Sequence, residues 1–186
     1  MASKETQRTQ ATELLAAHLL ETGLAQASLR QLAAAAGISD RMLLYYFESK
    51  TDALMAALGH VAGEVTAMLD TAVPAGEALP PAELLDVTAA LTRDAATKPF
   101  FRLWTEVVAA AARGEAPYTD ITQAIAAGFL GWIEARLQGG SPEARRATAA
   151  MILAMVDGLA LLEICTDAET AARAGAQMRR LVHPDF

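Results

Sequence analysis

The sequence has little of what would mark it as secreted or membrane-bound. Its one cysteine, Cys165, excludes an intrachain disulfide and fits a reducing cytoplasm. Cys165 lies among apolar residues, so we expect it to be buried. No run of about eighteen uninterrupted apolar residues is present, and the N-terminal MASKETQRTQATE lacks the apolar core of a signal peptide. We therefore expect a cytoplasmic protein with no membrane partner.

The patterns of enzyme and metal sites are also missing. The three histidines, His18, His60 and His183, are widely spaced and have no cysteine or Glu-x-x-His partners. No glycine-rich phosphate loop follows a strand, and no nucleophile with a base and an orienting group can be proposed from spacing. We therefore predict no catalytic residues, no metal, no cofactor and no enzymatic activity.

What the sequence does contain favours helix. It is rich in alanine and strongly apolar, with little valine or isoleucine. The patterns predict nine helices, of which the first spans about 4–22 and packs Leu14, Leu15, His18 and Leu19, and the fourth spans 50–71. The later five are expected at about 82–96, 99–112, 118–138, 142–164 and 168–182. An all-α fold follows, with a three-helix bundle in 1–49 and a larger helical domain in 50–186.

The segment 28–50, SLRQLAAAAGISDRMLLYYFESK, is the most informative part of the chain. Ser28 can cap one short helix, with Gln31 at the spacing of a capping box. Gly37 supplies the positive φ of a helix end followed by a tight turn, and Ser39 can cap a second helix that runs to about Phe47. Two helices joined by a short turn with glycine are typical of a helix-turn-helix, whose second helix enters the DNA major groove.

The phase of the second helix supports this interpretation. At about 100° per residue, Arg41, Leu44 and Tyr45 share one face, while Leu43 and Phe47 point the opposite way. Exposed leucine and tyrosine suit a DNA-reading surface, because leucine can contact a thymine methyl and tyrosine a phosphate or base edge. The alternative for this segment is a small helical hairpin that packs against another protein.

The sequence AGISDRMLLYYFESK resembles the signature of the TetR/AcrR family of bacterial transcriptional repressors, in which a pattern close to AGVSKGTLYHYFPSK is usual. The matching positions are Gly37, Ser39, Leu43, Tyr46, Phe47, Ser49 and Lys50. Leu44 stands where the family usually has a tyrosine after the helix-three leucine. The resemblance implies that this tyrosine bonds a DNA phosphate, so in this chain the contact has moved to Tyr45 or is lost. The resemblance implies that the C-terminal helices, 50–186, form a ligand-binding and dimerisation domain.

The resemblance also implies a set of DNA contacts. Ser28 and Arg30 would meet the backbone or a groove edge, Asp40, Arg41, Met42 and Tyr45 would face the bases, and Tyr46 and Lys50 would hold phosphates. Leu44 completes the predicted surface. Independently of the resemblance, Arg41 is the best candidate for a bidentate contact with guanine, and Lys50 lies in the first turn of the next helix, where an anion is favoured. Asp40 is as well explained as a first-turn acid that complements the helix dipole.

The distribution of charge agrees with specific rather than general DNA binding. The whole chain has a formal net charge of −7, but residues 1–50 hold five basic and five acidic side chains. The remaining ten basic and seventeen acidic side chains lie in 51–186 and account for the deficit. A neutral DNA-reading region on an acidic body predicts weak, salt-sensitive non-specific affinity.

The helix that begins near Ser141 is apolar almost all round after Ala147. Such a helix should be buried on all sides, which suggests a partner as well as the chain's own core. Since helix-turn-helix proteins commonly bind palindromic sites as two-fold dimers, we predict a homodimer through the last two helices, joined as a four-helix bundle. The expected buried positions, in the interface or the core, are Met151, Met155, Leu159 and Leu162.

A cluster of aromatic residues around Phe100 and Trp104 has two interpretations. Aromatic residues at helical spacing usually form core. The resemblance to the TetR family implies instead a pocket for a small, mostly apolar effector, contacted by the fourth helix. The predicted pocket residues are His60, Met68, Phe100, Trp104, Glu106, Phe129 and Asp157. An effector bound there would shift the fourth helix and release a double-stranded DNA operator, which requires only differential affinity for two conformations.

A second class of function remains open. In this hypothesis the chain is a helical ligand-binding or interaction protein that does not bind specific DNA. It is supported by Leu44, which stands where the family has tyrosine, and by the balanced charge of the N-terminal region. Sequence-specific DNA binding distinguishes the two hypotheses.

Overall fold

The computed structural model describes residues 3–182, so His183 lies outside the described residues. Within them the chain forms nine α-helices and one short 3-10 helix, Leu24–Gln26, and the only bridge between extended residues is an isolated one from Leu79 to Leu137. The helices are α1 Lys4–Thr22, α2 Leu29–Ala35, α3 Asp40–Tyr46, α4 Lys50–Ala72, α5 Pro81–Arg93, α6 Lys98–Ala112, α7 Tyr118–Arg136, α8 Pro142–Cys165 and α9 Ala168–Val182. The expected all-α fold is confirmed, whereas the 3-10 helix was not predicted.

The helices divide into two compact units, which do not coincide with the predicted division at residue 49. The first contains the described residues up to Glu64 together with Pro99–Ile125. The second contains Val65–Lys98 and the described residues from Ala126 onward. The predicted domains were drawn by function, and the division into 1–49 and 50–186 stays a prediction.

The first unit has a continuous apolar core. Leu15 and Leu19 of α1, Leu32 of α2 and Leu43 of α3 are fully buried. Phe47, directly after α3, is 1% exposed, and the cluster extends to Leu54 of α4 and Val107 of α6. Leu14 was expected in this core but is 42% exposed, because it lies on the opposite side of α1 from the buried stripe.

The core of the second unit is built by α5, α8 and α9, which pack against one another in pairs. α8 buries one stripe, Ala149, Ile152, Val156, Leu159 and Ala160, at the spacing of a helix with one covered face. Of its other large apolar residues, Met155 and Leu162 are half-buried, and Met151, Leu161 and Ile164 are exposed. Cys165, the last residue of α8, is exposed, so the expectation that it is buried was wrong.

α8 is also long and apolar enough to cross a membrane by length and composition, with a mean hydropathy of 1.9 over 18 residues, of which 28% are buried. One such helix is weak evidence for a membrane protein, because core helices pass the same test. The apolar part of α8 also carries Asp157 and Glu163, which are costly in a bilayer. The absence of a membrane partner stays a prediction.

A buried arginine fixes the end of α4 within the second unit. Arg136 of α7 donates from Nε to the carbonyl of Val73 at 2.8 Å and from Nη2 to Asp70 Oδ1 at 2.5 Å. Trp132 Nε1 donates to the same carboxylate oxygen at 2.8 Å, and the guanidinium carbon of Arg136 lies 4.2 Å from the centroid of the Trp132 ring. The desolvated guanidinium therefore has charged, polar and aromatic partners, as a buried charge requires.

Candidate nucleic-acid interface

The candidate site begins with the turn that joins α2 to α3. Ser28 Oγ accepts the backbone N–H of Gln31 at 3.4 Å, and Gln31 Oε1 accepts that of Ser28 at 3.1 Å, which completes the predicted capping box. At the other end of α2, Gly37 has φ +67°, and the N–H groups of Gly37 and Ile38 donate to the carbonyls of Ala34 and Ala33. These two bonds are those of a Schellman motif, which ends α2 cleanly.

The third helix follows this turn directly. Ser39 Oγ accepts the N–H of Met42 at 3.2 Å, so Ser39 caps α3 as expected. Four residues, 36–39, separate α2 from α3, which is a helix-turn-helix connection. Leu43 and Phe47 are 0% and 1% exposed and hold α3 against the core, which leaves its other face to solvent.

That other face carries the predicted base-reading residues. Asp40 and Arg41 are exposed, as are Met42 at 37%, Leu44 at 46% and Tyr45 at 57%. Ser28, Arg30 and Lys50 are exposed as well. The structure therefore brings eight of the nine predicted DNA-binding residues to the surface of one compact unit, although their contact with DNA stays a prediction.

Tyr46 differs from the other eight. Its side chain is 9% exposed, belongs to the apolar core, and donates from its hydroxyl to Gln7 Oε1 at 2.6 Å. The proton that would bond a phosphate is thus used within the chain. The structure shows a packing role for Tyr46, and its predicted phosphate contact is untested.

Three side chains of α1 that are not among the predicted site residues lie beside this surface. Lys4 Nζ is 4.5 Å from the centroid of the Tyr45 ring. Gln7 accepts from Tyr46, and Arg8 Nη2 lies 2.8 Å from Asp52 Oδ1, with its guanidinium carbon 5.0 Å from the centroid of the Phe47 ring. Local spacing carries no signal for contacts between residues about forty positions apart.

The end of α1 is held by two side chains of α6 in the same unit. Glu106 Oε2 accepts the backbone N–H of Leu24 at 2.8 Å. Arg102, one turn earlier, donates from Nη2 to the carbonyls of Leu20 and Glu21 at 2.8 and 3.3 Å. The Glu106 carboxylate therefore pairs a backbone N–H group, and the Arg102 guanidinium pairs carbonyls of the last turn of α1. Both side chains satisfy backbone groups that a helix end leaves unpaired.

The predicted pocket residues are divided between the two units. In the first unit, the Phe100 and Trp104 rings are stacked, with centroids 6.4 Å apart, and His60 Nε2 lies 3.6 Å from Glu64 Oε1. Glu106 makes the contact with Leu24 described above. In the second unit, Met68 is 36% exposed, and Phe129 and Asp157 are half-buried. Their role as a pocket stays a prediction.

The predicted interface residues on α8 fall into two groups. Leu159 is 1% exposed and belongs to the core of the second unit. Met151 is 39% exposed, and Met155 and Leu162 are half-buried. Leu161 and Ile164 are the most exposed large apolar residues of this helix, at 50% and 55%, and neither is among the predicted interface residues.

Comparison with known proteins gives a family match for the region that contains the helix-turn-helix. Residues 11–58 match the family model described as bacterial regulatory proteins, tetR family. This stretch contains α1 from Ala11, α2, the turn and α3. Residues 11–58 therefore form a DNA-binding region of the TetR-family type. This match supports a DNA-binding transcriptional regulator with a helix-turn-helix.

Solved structures show that the TetR-like fold extends over nearly the whole chain. A transcriptional regulator from Rhodococcus sp. Rha1 is 25% identical, with a TM-score of 0.72 over 94% of this chain and 95% of that one. Salmonella enterica GusR is 18% identical, with a TM-score of 0.65 over 95% and 93%. Bacillus subtilis FadR, solved in complex with stearoyl-CoA, is 14% identical, with a TM-score of 0.57 over 96% and 98%. A comparison with curated protein sequences found no match.

Proposed function

We propose that this protein is a cytoplasmic transcriptional repressor that binds a palindromic DNA operator as a homodimer and is released by a small, largely apolar ligand. The observation that carries the DNA-binding part is the exposed face of α3. Arg41, Leu44 and Tyr45 point away from a core that Leu43 and Phe47 anchor. A cation, an apolar group and a phenol on one rigid helix are the groups that read base edges and methyls in a major groove.

The exposed apolar surface of α8 supports the homodimer. Met151, Leu161 and Ile164 are each at least 39% exposed on one helix whose opposite stripe is buried. A surface of this kind is normally covered by a partner. A second copy of the chain is the partner that also explains a palindromic site, since a two-fold dimer presents two recognition helices to two half-sites.

Two observations support a ligand. A protein with the same fold, Bacillus subtilis FadR, was solved with stearoyl-CoA, a molecule with a long apolar chain. In the second unit of this chain, Phe129 and Asp157 are half-buried, as residues of the predicted pocket would be. Apolar cavities with a few polar groups are the usual form of small-molecule sites.

The first experiment is selection of bound duplexes from a random pool, followed by titration of the selected duplex. We expect an enriched two-fold palindrome. Arg41→Ala should weaken binding to it by about 1–3 kcal/mol per half-site and relax the base preference at one position. Arg113→Ala is the matched control, because Arg113 is an exposed arginine of the same unit whose ion-pair partner, Glu115, lies two residues away.

The outcomes separate the two classes of function. If Arg41→Ala binds the selected duplex as tightly as the Arg113→Ala control, Arg41 does not read a base. If no duplex is enriched at low salt, the protein is a helical ligand-binding or interaction module without specific DNA binding. That second function is favoured by Leu44, which stands where the family has tyrosine, and by the balanced charge of residues 1–50.

A further inference from the structure

The two neighbouring tyrosines at the end of α3 are used differently. Tyr46 is buried, and its hydroxyl donates to Gln7. Tyr45 is 57% exposed, and within the described part of the chain its hydroxyl forms no hydrogen bond. The Tyr45 hydroxyl therefore remains available to a ligand at the surface, whereas that of Tyr46 is not.

The charge above the Tyr45 ring comes from another helix. Lys4, in the first turn of α1, places Nζ 4.5 Å from the ring centroid, within the range of a cation–π contact. Lys4 is exposed, and among residues 3–182 it forms no ion pair. Its positive charge is thus held in place by an aromatic face and is not neutralised by a carboxylate.

The next basic residue of α1, Arg8, differs from Lys4 because a carboxylate neutralises its charge. Arg8, one turn further on, pairs with the carboxylate of Asp52 at 2.8 Å while its guanidinium lies over Phe47. The Gln7 contact attaches the first two turns of α1 to the end of α3, and the Arg8–Asp52 pair attaches them to the first turn of α4. Arg8 serves that attachment, and the attachment in turn holds Lys4 over the exposed tyrosine.

We propose that Lys4 and Tyr45 together bind one backbone phosphate of the DNA, beside the bases that α3 reads. Lys4 supplies the charge, the Tyr45 ring holds the lysine, and the Tyr45 hydroxyl donates a second hydrogen bond to the phosphate. The inference rests on the proposed function, and it moves Tyr45 from base reading to phosphate binding.

A phosphate contact has a signature that a packing role does not have. Binding of a cation to a DNA phosphate releases counterions, so each contact makes the negative slope of log affinity against log salt steeper by about 0.9. It also strengthens binding to every DNA sequence equally, because all sequences carry the same phosphates.

The test is Lys4→Ala, titrated across a salt series against the selected duplex and a random duplex. We expect the magnitude of the salt slope to fall by about 0.9 per protomer bound, which amounts to roughly an eightfold loss of affinity per protomer at 0.1 M salt. The loss should be equal on both duplexes. Lys98→Ala is the matched control, since it removes the same charge from an exposed lysine of another helix. Lys4→Arg should keep the slope of the wild type.

Substitutions of Tyr45 test the pairing. In Tyr45→Phe, which keeps the ring, Lys4→Ala should still lower the magnitude of the slope by about 0.9 per protomer. In Tyr45→Leu, which removes the ring, the effect of Lys4→Ala should shrink, because the lysine is no longer held. An effect of Lys4→Ala that is the same in Tyr45→Leu as in the wild type would overturn the pairing.

The remaining outcomes also decide the matter. A wild-type slope in Lys4→Ala overturns the proposal, as does an equal change in the Lys98→Ala control. A loss confined to the selected duplex overturns it too, because it means that Lys4 reads a base. Thermal melting of each variant shows that it is folded. If the wild type enriches no duplex, the proposed function fails; if it does and Lys4→Ala behaves as wild type, only this inference fails.

Discussion

Two helices of this protein, α3 and α8, leave large apolar side chains in solvent to a similar degree. On α3, Leu44 and Tyr45 are 46% and 57% exposed, and on α8, Leu161 and Ile164 are 50% and 55% exposed. Their surroundings differ, because the exposed face of α3 includes Asp40 and Arg41, whereas the apolar part of α8 contains no basic residue. We expect each of these exposed surfaces to meet a partner, and the neighbouring charges indicate whether that partner is a polyanion or an apolar protein surface.

The largest effect is expected from a charge placed on the α8 surface. Leu161→Asp combined with Ile164→Asp should convert the dimer to a monomer, because each unpaired carboxylate that enters an interface costs several kcal/mol. Binding to the palindrome should be lost with the dimer. Sedimentation equilibrium measures the mass, and Val108→Asp, at an exposed valine of α6, is the control for an acid on a helix surface.

If this α8 variant remains dimeric, the dimer forms through another surface. If the wild type is a monomer at micromolar concentration, the proposal that the exposed surface of α8 forms a homodimer is wrong.

The fold could be predicted from the sequence largely because its signals are local. Ser28, Ser39 and Gly37 mark helix ends by their own backbone bonds, and the resulting boundaries of α2 and α3 differ by a residue or two from those observed. The same is true of the exposed face of α3, which follows from helical periodicity once Leu43 is placed in the core.

Contacts between distant positions could not be predicted in this way. Periodicity assigns a residue to a face of its own helix and says nothing about which helix that face meets. Lys4 on Tyr45 and Glu106 on Leu24 join residues 41 and 82 positions apart. Glu106 was assigned to a pocket because it lies among apolar residues, a context equally suited to a carboxylate that caps a backbone N–H group. The apolar stripe of α8 was also ambiguous, since Leu159 and Leu161 look alike until the core is known.

A smaller effect is expected at Glu106, which lies in the same compact unit as α3. Glu106→Ala removes the acceptor of the Leu24 N–H group and should destabilise the protein by about 1.5–3 kcal/mol, the range for a hydrogen bond to a charged group. Glu106→Gln keeps an acceptor oxygen and should lose less. Denaturant unfolding measures the free energy, and sedimentation should show that the dimer is unchanged.

The Glu106 series also bears on the predicted pocket. A loss of stability in Glu106→Ala that Glu106→Gln largely restores indicates the capping role. If both variants unfold like the wild type, the contact with Leu24 contributes nothing to folding, and the assignment of Glu106 to an effector site becomes the better interpretation.

The smallest effect is a pH dependence of stability that comes from the helix caps, which differ between the helix-turn-helix and the C-terminal helices. α2 and α3 are capped by serines, which do not titrate, whereas Asp167, before α9, accepts the backbone N–H of Thr170 at 2.7 Å. That hydrogen bond, with a further one from the Thr170 side chain, lowers the pKa of Asp167 below its ordinary value of 3.8. Because the folded-state pKa is the lower one, the stabilisation is fully present above about pH 5 and is lost as the pH falls through 3.8 toward the folded-state pKa.

Asp167→Asn isolates this effect, since asparagine caps a helix as well but does not titrate. Thermal melts between pH 7 and pH 3 should show the wild type losing its advantage over Asp167→Asn as the pH falls. The midpoint difference between the two proteins is the quantity to follow, because it cancels the titration of every other carboxylate. A difference that is constant across this range would mean that the Asp167 carboxylate is no better stabilised in the folded chain than in the unfolded one.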